Sequence, residues 1–264
     1  MRLDLELIER DLAPSRSKAQ ELIKNNYIFV NDKLISKPSF EIKETDDIKI
    51  KENKILKYVS RAGLKLEKAT KSFNLDLNNK IILDIGSSTG GFTDCAIQNG
   101  AKKVIAVDVG SNLMKKTLRQ NSKVELYEKT NILNFPSAKF KDIDFITIDV
   151  SFTSLEKIFE KISNEKVSLE IMALIKPQFE CGKQIADIFK GIINSPQIHK
   201  DVITKVIEFA NNLNIYIQEL DYSPIKGGDG NIEYITLFST KAKNNNSNIE
   251  IDTIITSAFN KENL

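Results

Sequence analysis

Tryptophan is absent from these 264 residues, and there are only two cysteines and one histidine. Cys95, Cys181 and His199 cannot furnish the four Cys/His ligands of a usual structural zinc site, so no metal is expected. Two lone thiols make no disulfide framework, and a reducing compartment is the simpler setting. No apolar run approaches the roughly 20 residues that a membrane-spanning helix requires. The opening Met1-Arg2-Leu3-Asp4-Leu5-Glu6 is too charged for a secretory leader. These absences point to a cytoplasmic protein with no membrane partner. Neither charge sign prevails: 38 Lys and Arg face 36 Asp and Glu, so the formal net charge of +2 does not by itself call for nucleic acid. What remains is ordinary globular material, 41% hydrophobic and 28% charged, enough for one large or two unequal domains. The oligomeric state is open, with a monomer favoured.

The stretch that organises the chain runs from Lys80 to Asp94. A short apolar run ends at Asp84, a glycine-bearing turn follows, and helix-forming sequence resumes at Phe92. This strand–turn–helix context is what a nucleotide-binding glycine motif needs. Gly86, Gly90 and Gly91 do not fit the dinucleotide spacing: Gly86 permits a sharp turn around Ser88, and Gly90 and Gly91 let backbone approach a ligand. Asp84 is expected in the crevice, where a carboxylate repels pyrophosphate and suits a cation. Asp108 ends the next apolar run about 20 residues on, where an acid can take a ribose diol. Two acids and no phosphate-binding lysine argue for a phosphate-free adenosine ligand, and S-adenosylmethionine fits.

Residues 1–52 read as a small α+β unit: a helix up to Pro14, a second capped by Ser15 or Ser17 and ended near Asn25-Asn26, then a hairpin turning at Asn31-Asp32. Arg16, Lys18, Lys24, Lys33 and Lys37 outnumber Glu21 and Asp32, which suits RNA backbone and a solvated face equally. A basic linker over 53–59 leads to Ser60, a plausible helix cap, and to Arg61 and Lys65. From Lys80, apolar runs alternate with helical patterns, as in a doubly wound parallel sheet. Strands are expected at 80–84, 103–108, 123–127, 143–149, 169–175, 214–220 and 231–238, with helices near 91–99, 112–119, 154–163 and 196–212. The last two strands are too close for an intervening helix, so they pair as a hairpin and the last runs antiparallel. Six parallel strands and one reversed is the layout of a Rossmann-like methyltransferase over 60–240. The Asn-rich run after Thr240 reads as a flexible linker, and Ile251 to Phe259 as a short docked helix closing the segment 241–264.

In such a sheet ligands sit at the carboxyl ends of the strands. Asp149 ends the fourth strand, Lys176 ends the fifth, Glu233 lies early in the reversed strand, and Lys65 enters from the segment before the first. The four could form a structural ion-pair network. They also suit methylation of a ribose 2′-hydroxyl, which must lose its proton. A lysine serves as general base only when burial and a neighbouring positive charge bring it towards neutrality. Lys176 is assigned as base, Asp149 and Lys65 orient the nucleophile, and Glu233 completes the network, although coupled groups share their titration.

Two resemblances sharpen this reading. Arg2-Leu3-Asp4, Ser15-Arg16-Ser17-Lys18-Ala19, Leu22-Ile23 and Ile28-Phe29-Val30-Asn31 resemble the αL RNA-binding motif, with Asn26 and Asp32 where glycines are usual. This makes Arg2, Arg16, Lys18, Lys24 and Lys33, with Arg61 beyond them, RNA-binding candidates. The blocks Tyr58–Glu67, Asp84–Cys95, Ala106–Gly110, Lys129–Asn131, Asp149–Phe152, Lys176–Glu180 and Ser223–Glu233 resemble the TlyA family, also called hemolysin A. TlyA proteins are similar to FtsJ-like 2′-O-methyltransferases, whose Lys-Asp-Lys-Glu tetrad falls on Lys65, Asp149, Lys176 and Glu233. The resemblance implies S-adenosyl-L-methionine as cofactor, bound through Asp84, Gly86, Ser88, Gly90, Gly91, Phe92, Asp108, Thr130 and Asn131. It implies ribosomal RNA or ribosomal subunits as partner and a cytidine 2′-oxygen as acceptor. Ala62, where the family usually has Gly, and Gly228, where Pro is common, depart from it away from the tetrad. The rival readings are a membrane-active hemolysin, which would need an apolar span or a basic amphipathic helix, and a non-catalytic RNA-binding assembly factor. A pseudouridine synthase is suggested by the αL motif alone.

Overall fold

A computed structural model describes residues 1–10, 12–13, 15–51 and 57–261. The chain forms two compact units, Met1–Arg61 and Ala62–Leu264. Residues 53–56 of the expected linker lie outside the described residues.

The first unit packs α1 (Leu3–Glu9) and α2 (Arg16–Lys24) on a sheet of β1 (Ile28–Val30), β2 (Lys33–Leu34) and β3 (Ile48–Ile50), ordered β2-β1-β3 and antiparallel. Leu3, Leu7, Ala19, Leu22, Ile23, Ile28 and Val30 form its core. Ser15 is the cap of α2, its side chain accepting from the Lys18 N–H at 3.3 Å. Asn31 and Asp32 join β1 to β2 with φ of 49° and 61°, the left-handed pair that a two-residue hairpin turn demands. Asn26, at φ 62°, likewise takes a conformation that asparagine tolerates well.

The second unit opens with α3 (Gly63–Ser72). Ser60 does not cap it: Ala62 takes the cap position without a side-chain bond, while the buried Ser60 hydroxyl has no hydrogen-bond partner among the described residues. There follow β4 (Ile81–Ile85), α4 (Gly91–Gln98), β5 (Lys103–Val107), α5 (Lys116–Arg119), β6 (Val124–Tyr127), β7 (Phe145–Ile148), α6 (Leu155–Asn164) and β8 (Glu170–Ile175). Then come α7 (Pro177–Glu180), α8 (Lys183–Ile188), α9 (Pro196–Asn212), β9 (Tyr216–Tyr222), β10 (Tyr234–Ser239) and α10 (Ile251–Asn260). The sheet order is β6-β5-β4-β7-β8-β10-β9, with β10 antiparallel to both its neighbours. The reversed last strand expected from the short connection is present, inserted between β8 and β9. β4 and β7 lie side by side while β5 and β6 extend the other way, so the strand order switches at β4, where open α/β sheets place ligands.

Three local expectations change. α5 covers only Lys116–Arg119, because Asn112 turns left-handed (φ 60°) and gives its N–H to Glu128, leaving 109–114 as loop. Glu233 lies just before β10 rather than within it. The Asn-rich run is not a free linker. Ile217 N–H donates to the Asn245 side chain at 3.0 Å, Asn246 N–H donates to Ile217 O at 2.9 Å, and the Asn246 amide donates to Gln218 O at 2.9 Å. Beyond it, Ile255 and Ala258 of α10 are buried in the main core, so that helix docks as expected. Among the described residues no helix is long and apolar enough to cross a membrane.

Candidate active site

Each tetrad residue is set by the end of an element. Asp149 is the first residue past β7, its N–H bound to Ile85 O at 3.0 Å. Lys176 is the first past β8, held extended (φ −116°, ψ 99°) by the steric demand of Pro177 that follows it. Lys65 lies in the first turn of α3, and Glu233 precedes β10, its carbonyl accepting from Ser223 N–H at 2.7 Å. The side chains meet in one chain of charge. Lys176 Nζ is 2.5 Å from Asp149 Oδ1, Lys65 Nζ is 3.8 Å from Asp149 Oδ2, and Lys65 Nζ is 2.6 Å from Glu233 Oε2. Lys65, Lys176 and Glu233 are all buried, so these charges need one another.

Asp149 carries this network to the wall of a cleft of about 370 Å³, lined also by Gly86, Ser88, Asp108, Gly110, Leu113, Thr130, Asn131, Ser151 and Phe152. Gly86, at φ 82°, turns the chain so closely under Asp149 that a Cβ there would collide with its carbonyl oxygen. Asp108 accepts the N–H of Ser88 and of Gly110, each at 2.7 Å, which fixes its carboxylate at the cleft edge. The Asn131 side chain caps the next turn by accepting from Leu133 N–H.

Four of the nine expected cofactor residues stand elsewhere. Asp84 points into the core, where Thr93 and Thr147 donate to it at 2.6 and 3.0 Å, and burial pushes its carboxyl up to about 6. Phe92 is buried in α4. Gly90 caps that helix with φ 95°, and its missing side chain makes room for Leu118. Gly91 is the buried first residue of α4 and does not line the cleft.

Sequence reasoning missed Gln178, which donates to Glu233 Oε1 at 3.4 Å, and Phe152. Phe152 is 90% exposed at φ 62°, a strained conformation for a bulky residue, and its ring lies 4.9 Å from Phe179. Its place in the block Asp149–Phe152 was the available signal, but nothing in the sequence shows an outward ring.

In the first unit, buried Asp4 gathers two of the RNA-binding candidates. Arg2 donates to it at 2.9 and 3.0 Å, Arg16 at 3.0 Å and Gln20 at 2.8 Å, and these bonds hold its carboxyl far below the usual range. Lys18 pairs with Glu21 at 3.0 Å, while Lys24, Lys33 and Arg61 are exposed. Arg10 has a structural duty instead, tying α1 to the carbonyls of Glu44 and Asp46.

A seven-stranded sheet with one reversed strand, a cleft at its switch point and a buried Lys-Asp-Lys-Glu chain define an α/β methyltransferase. Residues 58–240 match the FtsJ-like methyltransferase family and residues 1–48 the S4 domain. YqxC of Bacillus subtilis, named as a candidate rRNA methyltransferase, is 45% identical over 237 residues, 89% of this chain and 84% of that protein. The 23S rRNA (cytidine-2′-O)-methyltransferase TlyA of Campylobacter jejuni is 36% identical over 255 residues, 89% of this chain and 97% of its own. A solved candidate hemolysin from Streptococcus thermophilus superposes with a TM-score of 0.75 at 38% identity, covering 98% of this chain and 95% of the other. The chain belongs to the TlyA family of FtsJ-like methyltransferases, and its methyl donor is S-adenosylmethionine. The residues fit that donor: Asp108 and Asp149 line the cleft and no lysine or arginine does among the described residues, which suits a cationic ligand without phosphates.

Proposed function

We propose that the chain methylates the 2′-oxygen of a cytidine in ribosomal RNA, with Lys176 as general base. The observation that carries this reading is the buried Glu233–Lys65–Asp149–Lys176 chain reaching the cleft through Asp149. The cytidine and ribosomal RNA rest on the Campylobacter relative's name. Bound S-adenosylmethionine supplies an electrophilic methyl group on a sulfonium. Asp108 would hold its ribose hydroxyls, Thr130 and Asn131 would border its adenine, and the turn from Gly86 to Ser88 would follow the rest.

Lys176 takes the proton from the 2′-hydroxyl as the O–C bond forms and the S–C bond breaks, leaving a 2′-methoxy nucleotide and S-adenosylhomocysteine. Asp149 shares its two oxygens between the lysines. Lys65 is fixed in turn by Glu233, so the Asp149 carboxylate that holds Lys176 Nζ is itself held from the other side. The contribution beyond proton transfer is placement of oxygen, methyl carbon and sulfur in line. Phe152 offers an exposed ring face at the cleft mouth on which the acceptor base can stack.

The first unit serves as the RNA reader, through Arg2, Arg16, Lys18, Lys24, Lys33 and Arg61, where ribosomal RNA is met in the cytoplasm. A membrane-active reading gains no support from α10, whose apolar face is already used inside the protein. Tritiated-methyl transfer to ribosomal particles tests the proposal. Lys176→Ala is expected to keep S-adenosylmethionine binding and to lose about 10²–10⁴-fold in turnover, the usual weight of a general base. Near-normal turnover would sink the assignment.

A further inference from the structure

Glu180 is a buried acid that the reaction above does not use. It ends α7, four residues after Lys176. Its Oε1 accepts the backbone N–H of Leu155 at 2.9 Å, and its Oε2 accepts the Ser154 hydroxyl at 2.7 Å. Ser154 and Leu155 open α6, directly after the Asp149–Thr153 segment. One carboxylate thus fastens the turn that carries Lys176 to the segment that carries Asp149. The rings of Phe179 and Phe152 join the same two segments at 4.9 Å. β7 and β8 are neighbours in the sheet, so the two segments leave it side by side.

A simple helix cap does not account for Glu180. Ser154 already accepts the Glu156 N–H at 3.2 Å, and a capping side chain does not have to come from another strand end. A buried carboxylate is costly unless its bonds are met, and here burial raises the carboxyl of Glu180 above its ordinary value while both bonds favour its charge. An acid held in this way has a fixed position, between the turn that follows Lys176 and the helix start that follows the Asp149–Thr153 segment.

We propose that Glu180 is a positioning residue, a brace that sets the Lys176–Asp149 separation. This rests on the reading of Lys176 and Asp149 as the catalytic pair. The test uses the full chain with Glu180→Gln, Glu180→Ala and Ser154→Ala. Glutamine can accept from Leu155 and donate to Ser154, so it should rescue turnover to within about threefold, whereas alanine should lower kcat about 10–100-fold, the scale of an ångström's misplacement. S-adenosylmethionine affinity and KM for ribosomal particles should change several-fold less than kcat, because Glu180 touches neither ligand and acts only through the Asp149–Thr153 segment that lines the cleft. Ser154→Ala removes one of the two bonds to Glu180, together with the Glu156 N–H cap of α6, and should lower kcat about threefold, which keeps the proposal testable if the alanine variant at 180 fails to fold. Unchanged kcat in Glu180→Ala, or in Ser154→Ala where that variant stands in, overturns the brace. So does a loss of kcat that glutamine does not rescue, or one matched by lost cofactor affinity. If the wild-type protein methylates no ribosomal RNA, the functional reading fails instead. The brace is then judged from a crystal structure of Glu180→Ala, or of Ser154→Ala in its place, where a Lys176–Asp149 distance still at 2.5 Å refutes it and a lengthened one supports it.

Discussion

Asp84→Asn is expected to become progressively more stable than wild type as pH rises. Burial is the main cause that lifts this carboxyl from 3.8 to about 6, with Asp149 adding repulsion and the two threonines opposing. The sign follows from proton counting. Between those two values the native state holds a proton that the unfolded chain has released, so stability falls as pH rises through the window and levels off above it. The full gap is worth about 3 kcal/mol, of which about 1 kcal/mol is lost between about pH 5 and about pH 8. Asparagine cannot titrate. The stability difference between variant and wild type should therefore grow by about 1 kcal/mol over that interval, whatever its starting value. Urea unfolding followed by far-UV circular dichroism at the two pH values measures it. His199 titrates in the opposite sense, because burial lowers its pKa and stability is lost as pH falls below its ordinary 6.5. It is common to both proteins and cancels in the difference. A gap that stays constant with pH would refute the account of Asp84.

Phe152→Gly should raise stability by about 1 kcal/mol by relieving a left-handed bulky residue. It should also lower kcat/KM for RNA about tenfold or more, through loss of a stacking face; thermal melts and methyl-transfer kinetics on one preparation check both signs. Deleting residues 1–61 should weaken binding to ribosomal particles and flatten its salt dependence, since phosphate contacts release counterions. S-adenosylmethionine affinity, measured by calorimetry, should be unchanged by that deletion.

The sheet was legible because its strands are short apolar runs separated by helical periods, and a connection of about ten residues before β10 leaves room only for a reversal. The tetrad was legible because Asp149 and Lys176 terminate such runs, and strand ends are where ligands sit. Which way a side chain points at a strand end was not legible. Asp84 sits one residue before Ile85 closes β4, and the alternation of a strand turns it into the core. The missing side chain of Gly90 makes room for Leu118, a partner 28 residues away in sequence that spacing cannot reveal. Glu180 and Gln178 acquire meaning only from residues brought near by folding: Leu155 and Ser154 for one, Glu233 for the other. The loop at 109–114 escaped the helical pattern because one asparagine's left-handed turn outweighs the local propensity.

The asparagines after Thr240 bear on how this protein behaves at high concentration. β9 is the last strand of its sheet, and a bare edge strand offers its amides and carbonyls to any passing chain. At Ile217 and Gln218 those groups are already bonded to Asn245 and Asn246, and the Gln218 side chain donates to Asn244 O. The run thus covers that part of the edge against edge-to-edge growth, with two asparagine side chains and one backbone N–H. A composition that looks like filler in the sequence is, in the folded protein, a guard against self-association.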